Sequence, residues 1–282
     1  MEISVVDPAP FGQYAPRGLC RLALSVARRC ADGWWSRRLA YAMRAAALTR
    51  LREKPLDVVS LGARMRLYPQ RSIAEKRLAF TPQYFDPGER AWLAERLKGD
   101  FVFLDVGASC GGYALFAASL GGPRSRILAV EPQPEVFARL VYNITQSAYV
   151  NLKAVGCAVL DIDGEATLFV NKNNEGESSV RMVNADARVE PIRVPTKTLL
   201  TLAREEGFAR IDAIKLDIEG AEALALESFF AAAPPALWPK FILMAFGWLR
   251  TEDSLESRLK DVGYREILRT RQNVGYALEQ GA

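Results

Sequence analysis

Apolar residues fall in short runs closed by an acid, a glycine or a proline, with stretches of three-to-four-residue apolar spacing between them. The runs are 101–106, 127–130, 152–159, 211–218 and 240–246. Runs of this length between turn residues predict strands buried on both faces of a parallel sheet. The periodic stretches 88–98, 113–120, 134–147, 221–230 and 255–262 predict helices. Strands alternating with helices predict an α/β fold with a doubly wound, mostly parallel sheet. The segment 264–278 reads as a terminal hairpin that contributes one antiparallel strand. A further strand is expected at 165–170, a long polar loop at 171–187, and an extended segment at 192–199 followed by a helix to Glu206. Residues 58–68 partly alternate and read as a hairpin or a single strand. Residues 77–87 read as an aromatic loop, in which Tyr84, Phe85 and Asp86 either cover a ligand or pack under the sheet.

The N-terminal part is patterned differently. Residues 1–16 contain Pro8, Pro10 and Pro16 and read as irregular. Residues 17–51 lack proline and predict one or two helices, broken near Asp32 and Gly33. Leu19, Leu22, Ala23, Val26 and Ala27 form an apolar stripe, with Arg21, Arg28 and Arg29 elsewhere on the wheel. Trp34, Trp35 and Tyr41 stand among Arg37, Arg38 and Arg44. Residues 1–55 hold ten Lys/Arg against four Asp/Glu, so this segment is basic while the rest of the +4 chain is slightly acidic. One reading is a surface helix that touches anionic membrane or an acidic partner. The other, which the sequence favours, is a helix packed on the main domain with its arginines solvated. The chain is divided accordingly into a basic helical extension, 1–55, and a larger domain, 56–282.

Composition narrows the classes. Of 282 residues, 50% are hydrophobic and 25% charged, the balance of an ordinary globular protein. No apolar run reaches the roughly 18 residues of a membrane span, and the first residues lack the pattern of a secretory signal. Cys20, Cys30, Cys110 and Cys157 are scattered with no CxxC pair, which predicts reduced thiols and a cytoplasmic setting, peripheral to a membrane if the basic helices touch one. The chain has no histidine, which excludes a Ser-His-Asp hydrolase and any His-ligated metal. No nucleic-acid-binding module accompanies the arginines, so no nucleic-acid partner is expected.

The candidate chemistry centres on FVFLDVGASCGGY, residues 101–113. A strand, a glycine turn and a helix form the first unit of a nucleotide-binding α/β fold. Glu131 ends the second strand, where an acid accepts hydrogen bonds from ribose hydroxyls. Asp105, read as part of the glycine turn, would repel a pyrophosphate, which disfavours a nicotinamide dehydrogenase. A ligand with ribose, a positive centre and no phosphate tolerates that charge, and S-adenosylmethionine (SAM) is such a ligand.

LDVGASCGGY, AVEPQPEVFARLVYNI, GCAVLDIDGEATL, SSV, VPTKTL and IKLDIEGAE follow one another as in FkbM-type SAM-dependent methyltransferases, a family this chain resembles over roughly residues 78–278. The resemblance implies a seven-stranded class I methyltransferase sheet, and SAM held by Asp105, Gly107, Ser109 and Gly111. It further implies that Glu131 takes the ribose, that Ala158 borders the adenine, and that Asp217 and Glu219 face the methyl group. Two positions depart from the family pattern: Leu200 replaces an acid after VPTKT, and Ala245 stands where a glutamate is expected.

Transfer from a sulfonium needs an aligned oxygen and a base for its proton. Asp217 or Glu219 is the candidate base, with Lys215 on the same sheet face to pair with Asp217. A helix-capping role for Glu219 stays open, and two acids without a third ligand do not make a metal site. The expected function is O-methylation of a hydroxyl on a small-molecule or glycan acceptor: a sugar, glycolipid or polyketide-like molecule. The alternative is a catalytically silent SAM-binding or scaffold protein of the same fold.

Overall fold

The computed structural model describes residues 6–171, 178–179, 189–218, 220–245 and 253–279. Its centre is a seven-stranded sheet in the order β12-β13-β11-β10-β3-β4-β5. The strands are β3 (Val102–Val106), β4 (Arg126–Val130), β5 (Leu152–Val155), β10 (Ala213–Leu216), β11 (Phe241–Ala245), β12 (Tyr264–Arg269) and β13 (Asn273–Leu278). Neighbours pair in parallel except β13, which runs antiparallel to both β11 and β12.

The uniformly apolar runs follow from burial on both faces. Phe103, Ile127, Ala129, Ala213 and Leu243 point to one side, where they meet Trp92 and Leu93 of α4 (Pro87–Arg96), Tyr113, Ala114 and Ala117 of α5 (Gly112–Leu120), and Leu140 of α6 (Pro134–Ser147). Leu104, Val106, Leu128, Ile214, Leu216 and Met244 alternate to the other side. There they pack on α7 (Leu199–Glu205), α8 (Glu222–Ala232) and α9 (Asp253–Asp261). From β3 the chain winds outward through β4 and β5, then returns to lay β10 on the opposite flank of β3. That reversal opens a crevice at the C-terminal strand ends, the position where doubly wound sheets hold ligands.

The run 152–159 is not one strand. It breaks at Gly156 and Cys157, and β6 (Ala158–Val159) joins a separate four-stranded sheet with β9 (Val189–Lys197), β7 (Gly164–Asn171) and β8 (Ser178–Ser179). A glycine within a strand run commonly marks such a bend. The segment 77–87 is not simply a loop: α3 (Ile73–Phe80) runs into its first residues and a 3₁₀ turn (Pro82–Tyr84) follows. The Ser72 hydroxyl accepts from the Glu75 N–H and starts α3. Most of the loop expected at 171–187 lies outside the described residues.

Before the sheet come α1 (Gly18–Arg29), α2 (Trp34–Leu51) and a hairpin of β1 (Leu56–Ser60) and β2 (Ala63–Leu67). The stripe of α1 is rotated from its expected position. Ala23, Leu24 and Ala27 are buried, whereas Leu19 and Leu22 are exposed. The Arg28 guanidinium, read as solvated, instead donates to the carbonyls of Val59 and Ala79.

The hairpin holds an ion pair with no solvent access. Arg66 Nε donates to Asp57 Oδ1 at 2.7 Å and a terminal nitrogen to Oδ2 at 2.8 Å, with both side chains 0% exposed. The same guanidinium donates to the carbonyls of Asp7, Ala9 and Pro10 and stacks on Tyr14 and Tyr142. Asp57 Oδ2 also accepts from the N–H groups of Gly12 and Tyr14. This cluster fastens the irregular residues 7–14 to the hairpin.

Candidate active site

A cleft of 520 Å³ lies over the β3 and β10 ends, within the size range of small-molecule sites. Its floor is the loop from Asp105 to Gly112, with Lys215 and Asp217. Its walls are α3 with Phe85 and Asp86 on one side, and Ala245 with the β12–β13 turn on the other.

Parallel register places Lys215 directly beside Asp105. Both occupy the sheet face that their apolar neighbours bury, and both are nearly inaccessible. Asp105 is therefore the penultimate residue of β3 and not a member of the turn, which corrects the sequence reading. Its Oδ2 accepts from the Ala114 N–H at 2.8 Å, but Oδ1 is buried with no partner. Burial pushes this carboxyl up to about 6, against the opposing pull of Lys215. Lys215 Nζ donates to Asp217 Oδ2 at 2.8 Å and stands 4.8 Å from the centre of the Tyr113 ring. Burial works against the Lys215 charge, but the carboxylates of Asp217 and Asp105 outweigh it and hold its pKa above the ordinary value. Asp217 keeps a side-chain exposure of 44% and so opens to the cleft.

Two glycines set the shape of the loop. Gly107 has φ +80°, and a Cβ there would sit 2.0 Å from the Asp217 carbonyl oxygen, so the β3 and β10 ends touch only because this residue has no side chain. Gly111 has φ +98° and would push a Cβ against Leu140 and Leu115. Between them Ser109 takes φ +50°, an unusual value for a residue with a side chain, and its hydroxyl is buried without a partner. Unsatisfied buried oxygens are uncommon in native structures. Here Asp105 Oδ1 and Ser109 Oγ belong to two residues that line one cleft, and they fit a polar ligand bound against this loop.

Glu131 holds the loop from behind. Its Oε2 accepts from the Ser109 N–H at 2.8 Å and its Oε1 from the Gln133 N–H at 3.0 Å. It is buried and does not line the cleft. Burial pushes its carboxyl up to about 7, and the two N–H groups offset only part of that. Ala158 stands apart from the others, packed with Leu168, Val170 and Val194 of the smaller sheet. Glu219 lies outside the described residues. In the turn around it, the Ile218 and Gly220 N–H groups donate to the Glu222 carboxylate, so the acid seen to satisfy this turn is Glu222. Leu200 is core, packed on the sheet face away from the loop. Ala245 lines the cleft, so of the two departures from the family pattern only this one stands at the candidate site.

Asp86, with Phe85, was one of the residues expected near a ligand, and it organises the near wall. It accepts from Tyr113 Oη at 3.0 Å and from the Arg77 guanidinium at 2.7 Å. Tyr84 instead turns away to the α1–α2 connection. Arg77, Arg271, Gln272 and Asn273 also line the cleft, and the sequence reading did not find them. They come from distant segments, and no local pattern joins them. Among the described residues no group of three or more His, Cys, Asp or Glu is placed to hold a metal ion, and no helix is long and apolar enough to cross a membrane.

The Glu131 titration has a sign that can be measured. A carboxyl raised in the folded state adds stability below its ordinary 4.5 and loses that contribution as pH rises through about 7. A ligand whose hydroxyls need the carboxylate has the opposite dependence. A ribose-bearing ligand held by the Glu131 carboxylate is therefore expected to bind more tightly as pH rises through about 7 in calorimetric titrations. Glu131→Gln should bind weakly at every pH and lose this component of the slope.

A family model described as the methyltransferase FkbM domain matches residues 105–265. The AMB antimetabolite synthetase AmbE of Pseudomonas aeruginosa is 28% identical over 160 residues, covering 45% of this chain and only 7% of that protein. Among solved structures, the METTL16 MTase domain has a TM-score of 0.49 at 16% identity, over 86% of this chain and 81% of that one. The human methyltransferase 10 domain containing protein has a TM-score of 0.46 at 15% identity, over 86% and 97%. The precorrin-6y C5,15-methyltransferase of Geobacter metallireducens has a TM-score of 0.40 at 14% identity, over 67% and 87%.

Proposed function

The chain belongs to the FkbM methyltransferase family, and on that premise we propose that it moves the methyl group of SAM to a hydroxyl oxygen of a small molecule: a sugar, a glycolipid or a polyketide-like acceptor. The observation that carries this reading is the Lys215–Asp217 pair, open to the cleft beside the loop that bears the unpartnered Asp105 and Ser109 oxygens. SAM supplies an activated methyl group on a sulfonium. Asp105, Ser109 and the backbone around Gly107 and Gly111 are the groups that would hold it, with Glu131 reaching the ribose once the ligand is in place.

Asp217 would take the proton of the acceptor hydroxyl, while the donor would supply the methyl carbon to that oxygen and keep the bonding pair on its sulfur. Lys215 fixes the Asp217 rotamer through the 2.8 Å bond and remains protonated. Tyr113 and Asp86 line the same cleft and would flank the acceptor. The name of the AmbE relative, an antimetabolite synthetase, fits a small-molecule acceptor. The silent-scaffold alternative draws on Ala245, whose methyl group faces the cleft where the family pattern has an acid.

The test is to incubate the protein with methyl-labelled SAM and panels of hydroxylated acceptors, then treat the products with base. An ether product keeps its label. Release of label by base would point to carboxyl methylation, and no incorporation across sugars, glycolipids and polyketide-like alcohols would favour the silent scaffold.

A further inference from the structure

The α1–α2 hairpin buries one face and leaves the other bare. Ala23, Leu24 and Ala27 of α1 and Ala40 and Ala47 of α2 face the body of the protein. On the outside, Leu19 and Leu22 are one helical turn apart on α1, and Trp35 and Leu39 one turn apart on α2. Leu22 is 60% exposed and Trp35 75%. Trp34, also exposed, packs edge-on against Trp35 with ring centres 4.1 Å apart. Large apolar side chains at this density are unusual on a surface that meets only water.

The charge around them has one sign. Residues 17–52 contain nine arginines and one acid, Asp32. Arg37 pairs with Asp32 and Arg28 is spent on backbone carbonyls. Arg21, Arg29 and Arg38 meet no carboxylate among the described residues, and Arg38 lies 4.8 Å from the centre of the Trp34 ring. Two copies of this chain meeting through this face would oppose Arg21, Arg29 and Arg38 to the same three arginines, an unfavourable juxtaposition.

We infer that the outer face of the α1–α2 hairpin docks on an anionic lipid bilayer. Leu19, Leu22, Trp34 and Trp35 enter the headgroup boundary and the flanking arginines meet lipid phosphates, the arrangement of interfacial amphipathic helices. The docked hairpin would also orient the cleft. Tyr84 Oη donates to the carbonyls of Cys30 and Ala31 in the interhelical turn, and Gln83 Nε2 donates to Ala27 O at 2.7 Å. The next two residues, Phe85 and Asp86, form the cleft wall. The residues that anchor the hairpin, Gln83 and Tyr84, are therefore contiguous in the chain with the cleft wall.

The test is co-sedimentation of the full chain with vesicles of phosphatidylcholine alone or mixed with phosphatidylglycerol. Binding to the anionic vesicles at low salt is expected, falling at high salt and about 10-fold or more weaker on neutral vesicles. L22S/W34S/W35S and, separately, R21Q/R29Q/R38Q should each weaken it about 10-fold or more with SAM affinity and circular dichroism unchanged; all six residues are exposed, so folding should survive. Failure of the full chain to pellet with anionic vesicles at low salt, or wild-type pelleting by both variants, would overturn the inference. So would sedimentation as a dimer that L22S/W34S/W35S converts to monomer, which would assign the face to a second copy.

Discussion

Asp217→Asn is expected to lower turnover about 100-fold or more, the scale of losing a general base, while SAM affinity changes little. The substitution keeps the shape of the side chain and one oxygen for the Lys215 ammonium, which now donates to Asp217 Oδ2 at 2.8 Å. It removes the charge that receives the acceptor proton. The backbone of residue 217 should stay where it is, because its N–H donates to Val106 O at 3.0 Å and its carbonyl packs on Gly107. The loss should therefore fall on kcat and not on donor binding. Wild-type turnover in the variant would reduce Asp217 to a strand-end ion pair and remove the base from the mechanism.

Arg66→Met is expected to destabilise the protein by about 3–5 kcal/mol, the range for stranding one partner of a buried pair. Asp57 would remain at 0% exposure with the Gly12 and Tyr14 N–H groups as its remaining donors. Residues 7–14 would lose the three carbonyl contacts that Arg66 supplies. The main-chain N–H of residue 66, which the substitution keeps, donates to Asn143 Oδ1, and Asn143 Nδ2 donates to Cys110 O, so the effect reaches the loop only as far as the β2 backbone shifts. R66M/D57L should recover much of the lost stability, because replacing both charges with apolar groups is often near neutral. Urea unfolding midpoints at constant slope report both values. A single-variant loss under about 1 kcal/mol, the range of an exposed pair, would show that the cluster does not hold this end of the chain.

The strand runs were legible because burial on both faces leaves no polar alternation to confuse them, and the parallel order followed from the helices between them. The polar residues of the site were legible only in part. Asp105 could be named from its place before the glycines, but its contact with Lys215 depends on register between strands 110 residues apart in the chain. The Ser72–Glu75 cap that starts α3 was present as a local signal, yet the aromatic and proline-rich residues after it drew the segment toward a loop. Ala158 was placed at the end of a continuous third strand, whereas the break at Gly156 and Cys157 sends it into the smaller sheet. Glu131 was read as a free ribose acceptor. The fold first uses it to hold the Ser109 and Gln133 N–H groups, an arrangement that only the folded loop can reveal.

Calorimetric titration of the full chain with SAM, and separately with NAD, tests the central claim most directly. One SAM per chain is expected, with Glu131→Ala weakening it by about 1–3 kcal/mol, the scale of a lost charge-assisted hydrogen bond, and no heat from NAD. NAD binding without SAM binding, or SAM affinity unchanged in Glu131→Ala, would contradict the assignment of this loop as the methyl-donor site.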